Sequence, residues 1–159
     1  MIIIDSHIEP IILDISTLIE AKLDNLNLHR AILIGYDLHG ASFVNTDLRG
    51  AELDKANLSK ANLSESSLIV AFVENANLSN AILVNTRLIG AYLNNANLDN
   101  ADLTGADISC TNFKGAKLFG AKMLCNRIDE AIFEGSYFDR YTIWPEGFDP
   151  ISKGALLIE

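Results

Sequence analysis

The side chains of this chain best suited to metal or thiol chemistry are two cysteines, Cys110 and Cys125, and three histidines, His7, His29 and His39. A metal site needs its ligands clustered at short spacings. Here the histidines are scattered and none falls near either cysteine. Nucleophilic catalysis would need a Ser, Thr or Cys beside a base that a third group orients. Ser, Asp and Asn abound, but they recur at a regular interval, which solubility and chain reversal explain without chemistry. The glycines up to Gly135 follow the same interval, and no Gly-rich phosphate-cradling loop is present. No catalytic residue, metal ligand or cofactor-binding residue is expected.

That interval is five. The stretch "AYLNNANLDNADLTGADISC", residues 91 to 110, opens each quintet with Ala or a similar small residue and places an apolar residue third. A helix wants apolar residues every three to four positions and a strand every two, so neither accounts for a strict five. The pattern works if each quintet is a short extended piece followed by a corner. Positions one and three then point inward, position two points outward, and positions four and five turn the chain. Four such sides close a square coil. From Ala21 to Arg140 there are 24 quintets, and the third position is apolar in every one, so one register spans most of the chain. The first position departs from Ala, Ser or Thr only at Leu26, Tyr36 and Asn126. Most fifth positions are Gly or Asn, which tolerate the positive φ that a tight corner demands.

These quintets resemble the pentapeptide-repeat family, whose pattern is A(D/N)LXX. The segment "TIWPEGFDP", residues 142 to 150, looks like the tail that follows the repeats in many cyanobacterial members. The resemblance implies an all-β, right-handed quadrilateral parallel β-helix. With about six coils stacked at roughly 4.8 Å, the prism would stand roughly 29 Å tall. Two inward side chains per side fill the lumen, so neither pore nor ligand cavity is expected.

Three regions follow: an N-terminal cap over 1–20, the β-helix over 21–140, and a C-terminal cap and tail over 141–159. Uncapped, a solenoid leaves its apolar lumen and strand edges open at both mouths, so the chain is expected to be a monomer or a homodimer joined through an end cap. Thr17 and Glu20 form a capping-box signature for a short helix near 17–23. The quintet phase also runs back through Leu18 and Leu13, which would make an extra strand coil instead. Trp144, the sole tryptophan, is expected over the last coil, with Pro145, Gly147 and Pro150 ending regular structure. Cys110 and Cys125 occupy corners more than the ~7 Å apart that a disulfide permits, and free thiols suit a reducing compartment. The apolar opening carries Asp5, Glu9, Asp14 and Glu20 but no Lys or Arg, unlike a secretory signal. No run approaches the ~18 apolar residues of a membrane span. A cytoplasmic protein without membrane contact is expected.

Charge bears on the partner. The family resemblance brings in acidic members that mimic DNA and protect DNA gyrase, and this chain carries −9. Much of that charge lies at the ends: residues 21–140 hold 14 acids against 11 bases, a balance of −3. DNA of equal height presents roughly 17 charges, so the prism copies it poorly. The repeats also lack the inserted loop of several gyrase-protecting relatives. No face is basic, so nucleic acid is not an expected partner. The outward Asn57, Asn77 and Asn97 read as an amide ladder that stabilises stacked strands, and no outward Thr ladder for ice is present.

One departure stands out among the outward residues. Ile69 and Val70 end one side and Phe72 opens the next. A coil later, Ile89 stacks over Ile69 and Tyr92 over Phe72, with Ile82 and Val84 on the side before. Arg49 and Glu52 precede this group, and Ser109 and Asn112 follow it. Outward apolar residues can simply be good strand formers. A cluster with a polar rim also marks a binding surface, so Ile69, Val70, Phe72, Ile89 and Tyr92 are the candidate protein-binding residues. The expected function is a non-enzymatic interaction scaffold for an unknown protein partner. The alternative is a DNA-mimic antagonist or protector of gyrase or another DNA-binding protein.

Overall fold

The computed structural model describes residues 1–159. Its regular feature is a set of parallel bridges between second-position residues twenty apart, such as Lys22 with Ser42 and Ser42 with Asn62. Four such columns run up the molecule. The first face carries Lys22, Ser42, Asn62 and Ile82; the second Asn27, Asp47, Ser67 and Arg87. The third carries Ile32, Glu52, Phe72 and Tyr92, and the fourth Asp37, Asn57, Asn77 and Asn97. Within a column the backbone alternates donors and acceptors: Ser42 N–H donates to Ala21 C=O at 2.9 Å, and Leu23 N–H donates to Ser42 C=O at 2.7 Å.

The corners explain the quintet pattern. The amide of nearly every first-position residue, Leu26 and Asn126 apart, donates back to the third-position carbonyl three residues earlier, as from Ala31 to Leu28 at 3.0 Å. The fifth-position residue is then the third member of a four-residue turn, where a type II turn needs φ > 0. Every fifth position from Glu20 to Gly120 has that sign. The second-position Asn or Asp completes the corner, because its Oδ1 accepts the amide of the fourth residue. Ser109 N–H donates to Asp107 in this way at 3.2 Å, and Lys114 N–H to Asn112 at 3.0 Å. Side-chain capping of a turn by Asn and Asp is their common local role.

Inside, the third-position Leu, Phe, Ile and Met side chains and the first-position alanines form one buried core. Polar first positions are accommodated because their hydroxyls reach lumen carbonyls. Thr46 donates to Leu23 C=O at 2.7 Å, and Thr86 to Leu63 C=O at 2.8 Å. A buried hydroxyl with a partner avoids the desolvation cost of an unpaired one.

The register holds through Gly120 and breaks beyond it, so the expectation of quintets running unbroken to Arg140 needs correction. Asp107 pairs with Asn126, nineteen residues on, and Lys122 with Ile143, twenty-one on. Asn126 cannot enter the lumen as Ala does. It takes the outward bridging place and donates its Nδ2 to Gly105 C=O at 2.9 Å. Arg127 then adopts φ 54°, and a 3-10 turn over Ile128–Glu130 recovers the count.

At the N-terminal mouth, strands β1 (Ile2–Ile4) and β2 (Ile11–Leu13) pair antiparallel, and Ile4 is fully buried on the core. Ile32 N–H donates to Asp5 C=O at 2.7 Å, which ties this hairpin to the first coil. Of the two alternatives for 17–23, the short helix does not form. Thr17 Oγ1 accepts from Ile19 N–H rather than capping a helix, Glu20 takes φ 55°, and Leu18 is buried, so 16–20 behaves as a quintet. At the other mouth, β3 (Tyr137–Phe138) pairs in parallel with β4 (Leu156–Leu157). Trp144 lies edge-on to Phe133 and Phe138, with ring centroids 5.5 and 5.6 Å apart. Phe133 in turn stacks on Phe113 at 5.3 Å.

Candidate functional site

The corner between the second and third faces gathers the outward apolar residues singled out in the sequence. Ile69 and Ile89 lie at the same place one coil apart, since Gly50 N–H donates to Ile69 C=O and Val70 N–H to Ile89 C=O. Both isoleucines are half-buried, whereas Val70, Phe72 and Tyr92 are exposed at 50, 42 and 41 %. Phe72 and Tyr92 are bridge partners, and the ladder holds their rings parallel, with centroids 5.3 Å apart and planes inclined by 3°. Ile82 does not join them. Its column belongs to the first face, which lies opposite the third, so the whole second face separates it from Phe72.

Val70 shows what this corner costs. Its φ is 50°, in the left-handed region, where a β-branched residue is a genuine outlier. The same place one coil on is Gly90, and one coil beyond that is Cys110, also left-handed.

The rim is charged, and part of it comes from a distant segment. A depression of about 300 Å³ beside the stacked rings is lined by His7, His29, Arg30, Arg49, Glu52 and Val70 among others. His7 arrives from the N-terminal segment and contacts Glu52 through Nε2. Arg49 grips Asp47 with two hydrogen bonds, Nε at 2.8 Å and Nη2 at 2.6 Å, which hold the Asp47 carboxyl below its ordinary value. Across the patch, burial pushes Asp107 upward. The hydrogen bonds from Arg127 and Ser109 outweigh it, and Asp107 ends below its ordinary value. Of the residues the sequence set around the patch, Arg49 and Glu52 line the depression, whereas Ser109 is buried with its Oγ donating to Asp107 at 3.0 Å; the sequence reading missed His7, because 45 residues separate it from Glu52.

The candidate ligands and nucleophiles do not converge. No three His, Cys, Asp or Glu side chains stand close enough to hold a metal ion. His39 Nδ1 pairs with Ser59 Oγ at 2.8 Å on another corner. Both cysteines are free. Cys110 is exposed on the candidate corner. Burial, and then the charge of Asp102, push the Cys125 thiol up to about 12, and its Sγ lies 3.4 Å from Leu103 C=O. The amide ladder is partial: Asn57 Nδ2 donates to Asp37 Oδ1 at 2.8 Å and Asn77 Nδ2 to Asn57 Oδ1 at 3.3 Å. A second groove, about 740 Å³, runs beside β4 between Phe119, Asp139, Tyr141 and Leu157. No helix is long and apolar enough to cross a membrane.

Solved structures with a likeness to this chain include three repeat proteins. One is a pentapeptide repeat protein from the Arabidopsis thaliana thylakoid lumen, 29 % identical, with 60 % of this chain and 70 % of that one aligned at a TM-score of 0.46. Another is HetL of Nostoc sp. strain PCC 7120, involved in heterocyst differentiation regulation, 26 % identical over 77 % of this chain and 73 % of that one, TM-score 0.41. The third is QnrB1, a plasmid-mediated fluoroquinolone resistance protein, 16 % identical over 92 % and 88 %, TM-score 0.49. No curated protein matches significantly in sequence. The family model of pentapeptide repeats matches in eight copies, over residues 16–50, 37–68, 74–109, 86–123 and 96–135. By these repeats the chain belongs to the pentapeptide-repeat family, whose members are right-handed quadrilateral β-helices.

Proposed function

We propose that this protein is a non-enzymatic interaction scaffold, a prism of about six coils that presents the corner of Ile69, Val70, Phe72, Ile89 and Tyr92 to a protein partner. The observation that carries the reading is the parallel stack of Phe72 and Tyr92, exposed beside a strained Val70. The repeat needs small residues at first positions and apolar ones at third positions, and it favours Asn or Asp at second positions. It does not require aromatic rings outside. Stacked exposed rings with a polar and arginine rim are typical of binding hot spots. Free thiols favour a reducing, cytoplasmic setting. The exposed apolar β4 favours the C-terminal end cap as the route to any homodimer.

The test pairs binding with stability. A double variant, Phe72→Ser with Tyr92→Ser, removes only outward side chains. It should keep a cooperative melt while losing a partner that the unmodified chain captures from native lysate. A variant that melts normally and captures the same partner would assign the rings to strand propensity alone.

A further inference from the structure

The arginines of this chain are not spread as its lysines are. Of the five, Arg30, Arg49, Arg87 and Arg127 all lie on the second face or on its corner with the third, the corner that carries the aromatic stack. The six lysines of the repeat region, Lys22, Lys55, Lys60, Lys114, Lys117 and Lys122, fall on the other faces and corners. This segregation has a chemical sense. Arginine carries a planar fork that matches carboxylates and stacks on rings, whereas lysine is a strongly hydrated point charge. Interface cores are enriched in Arg and aromatic residues and depleted in Lys.

The local carboxylates are already committed. Asp47 is held by Arg49, Asp107 by Arg127, and Glu52 by His7. Arg30 and Arg87 form no ion pair. Arg30 lines the depression beside the rings, and its side chain runs along the corner, with Cγ against Gly50. Arg87 stands exposed at the other flank, two residues before Ile89. The two uncommitted charges around the apolar patch are therefore both guanidinium groups, on a chain whose net charge is −9.

Resting on the docking reading above, we infer that the partner presents an acidic segment with an aromatic or aliphatic anchor. The anchor lies against Phe72 and Tyr92, and flanking carboxylates pair with Arg30 and Arg87. Carboxylate recognition suits these free forks. Nucleic acid would need a broad basic surface, which two guanidinium groups flanking one apolar corner do not make.

The experiment pans a displayed library of random twelve-residue peptides against the full chain, with the Phe72→Ser/Tyr92→Ser variant as a subtraction. Enriched peptides should be rich in Asp and Glu around one large apolar residue. Synthetic copies, followed by fluorescence anisotropy, should bind at least tenfold more weakly to Arg87→Glu and to Arg30→Gln, and more weakly as salt rises. Arg140→Glu, at the C-terminal end, should leave binding unchanged, and thermal melts check that each variant folds. Peptides that depend on the rings but are neutral or basic, or that ignore both arginine variants, overturn the acidic partner and leave the docking surface standing. A library with no enrichment over the ring variant overturns the docking surface itself. Tight binding of a poly-dT oligonucleotide, or a concentration-dependent dimer lost in the ring variant, would assign the corner to nucleic acid or to self-association and overturn the inference.

Discussion

Val70 occupies a backbone conformation that suits Gly or Asn, yet its side chain is half exposed and contributes little to the core. A β-branched residue held in the left-handed region costs about 1–3 kcal/mol. Val70→Asn should relieve most of that strain and raise stability by about 1 kcal/mol, measured by chemical denaturation. The same substitution should weaken partner binding, because it removes an apolar surface beside the rings. A destabilised Val70→Asn would show that the valine is needed for packing against its neighbours, and the corner would lose its claim to be shaped for a partner. At this scale Asn126 is also instructive. It was visible in the sequence as a departure from small first positions, and it is the residue where the coil changes register.

The quintet is the element of this fold, and its stability rests on the inward third position. Leu93 is fully buried, so Leu93→Ala should cost about 2–5 kcal/mol. Asn95→Ala on the adjacent corner should cost less, mainly through its positive φ of 56°. A neutral Leu93→Ala in a denaturation curve would mean that the side chain does not face the lumen. The last corner makes a prediction in pH. Asp139 Oδ1 accepts the amides of Gly120 at 2.9 Å and Tyr141 at 3.1 Å and the Thr142 hydroxyl at 3.0 Å. Burial works upward on this carboxyl, but those hydrogen bonds bring it below its ordinary value of 3.8. A lowered pKa contributes stability that is complete above the ordinary value and is lost as pH falls through the folded one. Thermal melts should therefore separate the unmodified chain from Asp139→Ala at pH 6 and bring them closer together below about pH 4. A gap that stays constant over that range would remove the carboxylate from the account of the C-terminal end.

For the whole molecule, the distribution of charge matters more than its sum. Residues 1–20 hold four acids without a Lys or Arg, while the repeat body is close to balanced and carries four of its five arginines along the second face and its corner with the third. A DNA mimic needs a continuous acidic surface comparable to a phosphate backbone. In a supercoiling assay the chain should neither inhibit gyrase nor protect it from a quinolone. Potent stoichiometric protection would replace the scaffold reading with the mimic.

Sequence alone settled the period, the inward and outward assignment of side chains, and the family. A one-dimensional repeat places each residue by its count from a neighbour, so Leu93, Phe113 and the corner glycines were legible from spacing. The five residues of the candidate corner were legible for the same reason: stacking by twenty brings Ile69 to Ile89 and Phe72 to Tyr92. What spacing could not supply were contacts that leave the period. His7 reaches Glu52 only because the N-terminal hairpin folds over the first coil. The 3-10 turn at Ile128–Glu130 follows from the lumen having no room for Asn126. The capping-box signature at Thr17 and Glu20 was outweighed by neighbouring coils, since pairing Glu20 N–H with His39 C=O at 2.8 Å continues the stack. In each case tertiary contacts decided, because a local preference of about 1 kcal/mol competes there with burial and ladder hydrogen bonds that the whole coil shares.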